Sequence, residues 1–229
     1  RYDDHENYGD QVLGQVAAAW SLNDGATVLR ANWGQGFRAP GLYELYSLYG
    51  NLNLQPEESE SWEIGVEQRL FQNAVASLTY FNRQNDNEIG YFDCWTYSAP
   101  LCSVNGLSRD GFYENIVRTE AQGIEAVAQW ALGEHLTVSA NYTWTDAEAV
   151  KASDPKNNGK RLARRPEHMG NLNADYAWGF GLKTGVSVRY VGETFNDAAN
   201  KAPVDAYTLV DIRASYPIND NLEVYGRVE

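Results

Sequence analysis

Aromatic side chains are concentrated in two stretches of the sequence that carry no strand pattern. Five of these residues could stack on a bulky, partly apolar ligand: Tyr43, Tyr46, Tyr49, Trp95 and Tyr97. Exposed aromatic rings offer a large contact area at low entropic cost, so this composition is typical of a ligand-capture surface. The alternative is that the rings pack the loops against their neighbours.

The first of these stretches lies between Pro40 and Pro56. Proline cannot donate to a sheet ladder, so each of the two prolines marks a point where strand pairing stops. A connection of this length without a strand pattern is uncommon in a compact domain and indicates a functional loop or disorder.

The second stretch contains both cysteines of the chain, Cys94 and Cys102, in the segment CWTYSAPLC. A disulfide between them is the simplest interpretation if the compartment is oxidising. Two free thiols are the alternative. A metal site is not predicted, because the three histidines, at positions 5, 135 and 168, are scattered along the sequence.

No arrangement of residues predicts catalysis. The sequence lacks the nucleophile-elbow, zinc-protease, phosphate-loop and calcium-loop patterns. Glu63, Glu67 and Arg69 share one face of a predicted strand, but a wall of mixed charge explains them better than a pair of catalytic carboxylates. We therefore expect no enzyme activity and no cofactor, and the net charge of -13 argues against nucleic acid as a partner.

The elements that must position these residues are strands, because apolar and polar residues alternate with period two along most of the chain. The clearest example runs from His135 to Thr145. About ten such strands are predicted, over 11–22, 27–37, 61–70, 74–84, 115–130, 135–145, 167–178, 182–192, 207–216 and 222–228.

The connections between these strands alternate between short and long. Short turns fall near residues 23, 72, 133, 180 and 219, and long loops fall between them. All short turns therefore lie at one end of the sheet and all long loops at the other, as in outer-membrane barrels with short periplasmic turns and long extracellular loops.

Tryptophan placement points the same way. Six of the seven tryptophans share the apolar face of their strands: Trp20, Trp33, Trp62, Trp130, Trp144 and Trp178. Three lie beside short turns and three towards long loops, which predicts two aromatic girdles at the two membrane interfaces. The sequence thus predicts an all-β chain, an antiparallel transmembrane β-barrel portion; a soluble sandwich would also alternate but has little reason to sort tryptophan by strand end.

Several spaced motifs resemble a known family. They are Gly36-Phe37-Arg38-Ala39-Pro40, Glu44-Leu45-Tyr46, Pro56-Glu57, Glu63-x-Gly65-x-Glu67, Ala121-x-Gly123-Ile124-Glu125, Arg164-Arg165-Pro166-Glu167-His168 and Tyr207-Thr208-Leu209-Val210-Asp211. Together they resemble the barrel of TonB-dependent outer-membrane receptors, especially the cobalamin and siderophore group. The resemblance implies a 22-stranded barrel that is plugged by an N-terminal domain and imports large, scarce nutrients with energy from TonB.

The resemblance covers residues 1–229 and corresponds to the C-terminal portion of such a barrel. We expect the plug, the first half of the barrel and the last strand to be absent from this chain, so that contact with TonB would occur through the missing plug. The expected location is the outer membrane of a Gram-negative bacterium.

The partners implied are a cobalamin or metal-chelate ligand, outer-membrane lipid and lipopolysaccharide. Arg161, Arg164 and Arg165 could meet lipopolysaccharide phosphates or pair with acidic loop residues. The alternative function is a passive porin-like channel. An outer-membrane enzyme or adhesin is a third class, for which the sequence offers no constellation.

Overall fold

The computed structural model describes residues 1–6, 8–95, 98–152 and 154–229, and most of these residues form antiparallel strands. In chain order the strands of the described residues are β1 (Tyr2–His5), β2 (Gly9–Val12), β3 (Gln15–Leu22), β4 (Thr27–Arg38), β5 (Glu57–Leu70), β6 (Ala74–Asp93), β7 (Ser103–Val104), β8 (Leu107–Ser108), β9 (Gly111–Leu132), β10 (Leu136–Lys151), β11 (Lys160–Arg161), β12 (His168–Ala177), β13 (Lys183–Val191), β14 (Thr194–Phe195), β15 (Pro203–Val204), β16 (Tyr207–Asn219) and β17 (Leu222–Val228).

One sheet contains the ten long strands that the sequence predicts. Its order is β17-β16-β13-β12-β10-β9-β6-β5-β4-β3, so each long strand pairs with its neighbours in the chain, and β11 adds to β10. Among the described residues β3 and β17 do not pair with each other, so these strands form an open portion of a barrel. The predicted all-β, antiparallel architecture is confirmed.

The sheet has two chemically distinct faces, because successive side chains of a strand point to opposite sides. Across β9, β10 and β12, one register row joins Trp130, Val138 and Ala174, while the adjacent row joins Gln129, Ser139 and Asn173. We call the face of the first row the outer face and that of the second row the lumen face, since barrels in outer membranes are apolar outside and polar inside.

The register shifts steadily along the sheet. Ala74, which opens β6, is level with Trp130, two residues before the end of β9, and Lys183, which opens β13, is level with Ser215, four residues before the end of β16. The shift always has the same direction, so each short turn extends further from the long loops than the short turn before it. Such a stagger tilts the strands relative to the axis of a barrel, as closure requires.

The six tryptophans of the outer face differ in how far they lie from the strand ends, and Trp144 is near the middle of β10. Trp33 and Trp62 are register partners towards the long loops, and Trp20 lies close to the short turn at Asn23–Gly25. The exposed fractions of Trp20 and Trp62 are 65% and 42%. Two rings at two interfaces with lipid stay a prediction.

The loop ends differ from the predicted boundaries in a consistent way. Residues 89–114, predicted as a loop, are strand at both ends, since β6 and β9 stay paired as far as Asp93 and Gly111. β10 likewise extends to Lys151, well beyond its predicted end at Thr145. These extensions lie towards the long loops, where the strict alternation of apolar and polar residues is lost.

Two further differences concern the first third of the chain. The predicted strand over 11–22 is divided, because β2 pairs with β1 in a separate hairpin and the large sheet begins only at Gln15. The stretch after Pro40 contains a short helix, α1 (Leu42–Tyr46), which the sequence pattern does not indicate. Within the described residues no helix is long and apolar enough to cross a membrane.

Candidate functional site

The segment between β4 and β5, residues 39–56, is a folded structure rather than a loose connection. We call it the first loop. Its helix α1 begins after Gly41, whose backbone N–H donates to the Glu44 carboxylate at 2.6 Å, which satisfies one of the free donors at the helix start. Pro40 is buried, and Leu54 is only 1% exposed. The first loop therefore buries two of its apolar residues.

Arg38, the last residue of β4, links the first loop to the sheet. Its guanidinium donates to both carboxylate oxygens of Glu57, at 2.6 and 2.7 Å, and to Glu44 of α1 at 3.0–3.1 Å. Glu57 opens β5 and also accepts a hydrogen bond from the backbone N–H of Ile89 at 2.7 Å. Charge-assisted and bidentate contacts of this kind fix geometry more strongly than neutral ones.

The same contacts set the proton affinities of the two groups. Hydrogen bonds first to Glu57 and then to Glu44 raise the pKa of Arg38 further above its usual range. Burial tends to raise the pKa of Glu57, but the hydrogen bonds from Arg38 and from the Ile89 backbone together outweigh it, so the pKa of Glu57 is lowered. Both side chains are therefore charged at neutral pH.

The first loop also contacts β9, two strands further along the sheet. The Asn51 side chain donates to the Tyr113 carbonyl at 3.0 Å, and the Tyr113 backbone N–H donates to the Tyr49 carbonyl at 2.9 Å. Arg109 donates to the Gly50 carbonyl at 2.7 Å, just ahead of β9. These backbone and side-chain bonds attach the loop to the hairpin of β6 and β9.

Four tyrosine rings pack where these segments meet. The ring centroids are 6.2 Å apart for Tyr43 and Tyr113, 5.8 Å for Tyr49 and Tyr91, and 5.7 Å for Tyr91 and Tyr113. All three pairs are close to perpendicular, an arrangement that aromatic rings favour. We call these four residues the tyrosine cluster.

The predicted ligand-binding residues fall into two groups. Tyr43 and Tyr49 belong to the tyrosine cluster and so pack the loop, although Tyr43 remains 61% exposed. Tyr46 and Trp95 are more open, at 70% and 82% exposed. Tyr97, the fifth predicted residue, lies outside the described residues.

Sequence reasoning missed Tyr91, Tyr113 and Arg109. Tyr91 and Tyr113 are register partners in β6 and β9, in a stretch predicted as loop. Tyr91 lies three residues before Cys94 and Tyr113 lies eleven residues after Cys102, so no local pattern links the two rings. Their contact with the first loop depends on tertiary structure.

The cysteine segment is closed by a disulfide between Cys94 and Cys102, with an S–S distance of 2.07 Å. It continues the end of the β6–β9 hairpin, since Cys94 donates its backbone N–H to the Asp110 carbonyl at 2.9 Å. The Arg109 backbone N–H donates to the Cys102 carbonyl at 2.8 Å. The disulfide thus adjoins the residue that holds Gly50 of the first loop.

Below these loops, a concave pocket of about 520 Å³ opens on the lumen face. Its lining is mixed, because polar and charged residues such as Asn32, Glu57 and Arg83 lie beside apolar residues such as Phe81 and Leu162. Among the described residues no group of three or more His, Cys, Asp or Glu side chains could hold a metal ion.

An open, staggered, antiparallel sheet with an apolar outer face, short turns at one end and folded loops at the other defines a portion of an outer-membrane β-barrel. The sequence matches the TonB dependent receptor-like, beta-barrel family over residues 1–229, and the chain belongs to that family. Members are outer-membrane proteins of Gram-negative bacteria, and this is the location of the chain.

Two curated relatives illustrate the sequence similarity. The vitamin B12 transporter BtuB of Photobacterium profundum is 36% identical over 232 residues, which cover 100% of this chain and 35% of the relative. The iron-regulated outer membrane virulence protein of Vibrio cholerae is 26% identical, over 100% of this chain and 36% of the relative. The chain therefore spans about a third of the length of the curated relatives it matches.

A solved structure supports the fold. A variant of the ferric enterobactin receptor from Pseudomonas aeruginosa, in complex with enterobactin, superposes with a TM-score of 0.76. The match covers 98% of this chain and 35% of that one, at 22% identity. At this identity the likeness concerns the fold alone.

Proposed function

We propose that this chain is part of a receptor for TonB-dependent uptake of a large, scarce nutrient, and that its long-loop end contributes to ligand capture. The observation that carries the proposal is the ordered first loop, which places an exposed aromatic surface on a rigid base. Arg38, Glu57 and the tyrosine cluster hold the loop, while Tyr46 and Trp95 stay open to a ligand. Preorganised aromatic residues lose little entropy on binding.

The charge of the loop end favours one ligand class over another. Acidic residues outnumber basic ones in four of the five long-loop segments, 1–14, 36–60, 84–120 and 193–206. The exception is 146–167, with six basic and four acidic residues. An acidic entrance repels a polyanionic ligand such as a ferric catecholate and favours a ligand without a large net charge. We therefore assign a corrinoid such as cobalamin as the ligand. The sequence similarity to a vitamin B12 transporter supports the same assignment.

The passive porin-like channel is not favoured by any observation. A passive pore depends on a constriction formed by charged side chains. The first loop is instead packed on β9, with its exposed residues aromatic and aliphatic rather than charged. Contact with TonB would depend on the plug domain, which the family architecture supplies.

The test uses the intact receptor on whole cells. Binding of labelled cobalamin is measured for the wild-type receptor and for the variant with Tyr46 and Trp95 changed to Ala, with a ferric siderophore as competitor; Tyr43 is left unchanged because it packs in the tyrosine cluster. We expect a loss of about tenfold or more in affinity, since truncated aromatic anchors cost over 1 kcal/mol each.

Phe180→Ala is the matched control, because Phe180 is an exposed aromatic residue, 64% exposed, at the short-turn end. Unchanged cobalamin affinity of the Tyr46→Ala, Trp95→Ala variant at normal surface abundance would remove these two residues from the binding site. Competition by the siderophore but not by unlabelled cobalamin would overturn the corrinoid assignment.

A further inference from the structure

The lumen pocket lies between two groups of loops. On one side it is lined by Glu57, at the base of the first loop, and on the other side by Leu162 and Arg165. The latter two belong to residues 160–167, which begin with β11 and lead into β12. We call residues 160–167 the wall segment. Its position decides the shape of one side of the pocket.

The sheet holds the wall segment at its two ends. At the start, β11 pairs with β10, and the Leu162 backbone N–H donates to the Ala147 carbonyl at 2.8 Å. At the end, the Thr145 backbone N–H donates to the Glu167 carbonyl at 2.8 Å. The part of the wall segment between these two points depends on other contacts.

The loop after β13, residues 193–206, supplies those contacts. The Arg164 backbone N–H donates to the Phe195 carbonyl at 2.8 Å, and Arg164 Nε donates to Asn196 at 3.0 Å. Arg164 has a φ of 59°, a left-handed conformation that is unfavourable for a bulky residue and persists only where the surroundings impose it. The conformation of the wall segment is therefore tied to the neighbouring loop.

Asn200 of that loop makes a two-way link to the wall segment. Its Nδ2 donates to the Arg161 carbonyl at 2.9 Å, and its Oδ1 accepts the Arg161 backbone N–H at 2.9 Å. The amide thus satisfies both backbone groups of one residue, as a paired strand would. The φ of Asn200 is 55°, a left-handed value that asparagine tolerates better than most residues. Asp197 fixes the turn around it, because one carboxylate oxygen accepts the backbone N–H groups of Lys201 and Ala202 at 2.9 and 2.8 Å.

The side chain of Arg161 strengthens the same link. Its guanidinium lies 5.5 Å from the centroid of the Phe195 ring and forms ion pairs with Glu167 at 3.4 Å and Glu193 at 3.6 Å. Glu167 belongs to the wall segment, whereas Phe195 and Glu193 belong to the neighbouring loop. The Arg161 side chain is 27% exposed, so these contacts are partly shielded from solvent and salt.

We propose that Asn200 is a positioning residue for ligand capture. Asn200 is not among the described residues that line the pocket, yet its amide holds Arg161, and the backbone that follows carries Leu162 and Arg165 to the pocket. The loops after β10 and after β13 therefore form one wall opposite the first loop. A wall that is ordered before binding spares the ligand the entropic cost of ordering it. The inference rests on the proposed function and adds how the second side of the entrance is held.

The test combines amide hydrogen exchange with cobalamin binding in the intact receptor. Asn200→Gly is the decisive variant, because glycine keeps the left-handed backbone without strain and removes only the side-chain amide. In the ligand-free variant we expect the wall segment to exchange about tenfold or more faster, since two hydrogen bonds are lost. Asn200→Asp, which keeps the acceptor for the Arg161 N–H, should fall between Asn200→Gly and wild type.

The binding measurement separates positioning from a purely structural role. We expect cobalamin to bind Asn200→Gly about three- to tenfold more weakly, because part of the binding free energy is spent on ordering the wall segment. Saturating cobalamin should restore the protection of the wall segment in this variant, since the ligand favours the ordered state. Asn23→Gly is the matched control, because Asn23 is also left-handed, with a φ of 52°, and its amide donates to Thr27 within a short turn.

Each contrary outcome has its own meaning. Faster exchange confined to residues 193–206 would overturn the coupling between the two loops. A loosened wall segment with unchanged cobalamin affinity, or one that saturating cobalamin does not restore, would overturn the positioning role. If the wild-type receptor binds no cobalamin, the ligand assignment fails and the role in capture fails with it, whereas the ligand-free exchange still decides whether Asn200 couples the loops.

Discussion

Arg38 and Glu57 face each other across the first loop, joined by two parallel hydrogen bonds of 2.6 and 2.7 Å. Because Arg38 also holds Glu44, Arg38→Ala should loosen the whole first loop. Arg38 is 47% exposed, so we expect a loss of only about 1 kcal/mol in loop stability. This loss of stability is measured by amide hydrogen exchange of residues 39–56 in the intact receptor.

Arg118→Ala is the control for this prediction. It removes a comparable pair, Arg118 with Asp86 at 2.8 Å, which joins β9 to β6 without touching the first loop. Arg38→Lys should fall between wild type and Arg38→Ala, since lysine cannot form the bidentate contact. Equal exchange in wild type and Arg38→Ala would show that the tyrosine cluster alone holds the loop.

The lowered pKa of Glu57 predicts a pH dependence of the same loop. A carboxylate whose pKa is depressed on folding adds stability above its unfolded pKa, about 4.3 for Glu, and loses it as pH falls through the folded value. Protection of residues 39–56 should therefore be full at neutral pH and decrease below about pH 4. In Glu57→Gln the hydrogen-exchange protection of residues 39–56 should be lower than in wild type at neutral pH and should decrease less as the pH falls. The same pH profile in Glu57→Gln and wild type would refute the role of Glu57.

Gly123 in β9 lies beneath the ring of Phe81, its register partner in β6. A Cβ atom at Gly123 would meet the Trp144 carbonyl oxygen and would come within 2.7 Å of the Phe81 ring. Overpacking of this kind typically costs about 1–3 kcal/mol, so Gly123→Ala should lower the urea midpoint of the receptor in vesicles. Gly34→Ala is the control, because Gly34 lies between the paired strands β3 and β5 and a Cβ there meets nothing closer than 3.6 Å. Equal midpoints for the two variants would contradict the prediction.

Removal of the disulfide should affect the loops and leave the barrel intact. In the Cys94→Ser, Cys102→Ser double variant, the segment that leads to Arg109 is freed, and with it the contact of Arg109 to the Gly50 carbonyl. We expect faster hydrogen exchange in residues 98–110 and weaker cobalamin binding, with unchanged resistance of the barrel to heat in detergent. Arg109→Ala, which keeps the disulfide, should reproduce the loss of binding. A lower barrel melting temperature in the double variant would contradict this separation.

The tryptophan girdles predict contact with lipid at two depths. The fluorescence of Trp33, Trp62 and Trp144 should be quenched by lipids that carry bromine near the headgroup, on the long-loop side of the membrane. Replacing the three residues by Phe should remove that quenching. Trp95→Phe serves as the control, because Trp95 is 82% exposed and lies in the cysteine segment beyond the girdle. If quenching persists after the triple replacement, these rings face the lumen.

The sequence by itself determined the sheet. Alternation along β10, the turn at Asn23–Gly25 and the placement of Trp20 near that turn are all local patterns. In a membrane barrel the outer face must be apolar at every strand. The alternation within a single strand is therefore enough to predict which of its side chains face outward.

Tertiary structure alone decided how the loop end is assembled. Asn51 bonds to Tyr113, sixty-two residues away, and Arg109 bonds to Gly50 across a similar separation. Towards the long loops the apolar alternation is lost, so no local pattern marks where β6 and β9 continue. At that end the structure is set by the hydrogen bonds between β6 and β9 and by the contacts of the first loop. A pattern among neighbouring residues cannot predict partners that lie so far apart in the chain.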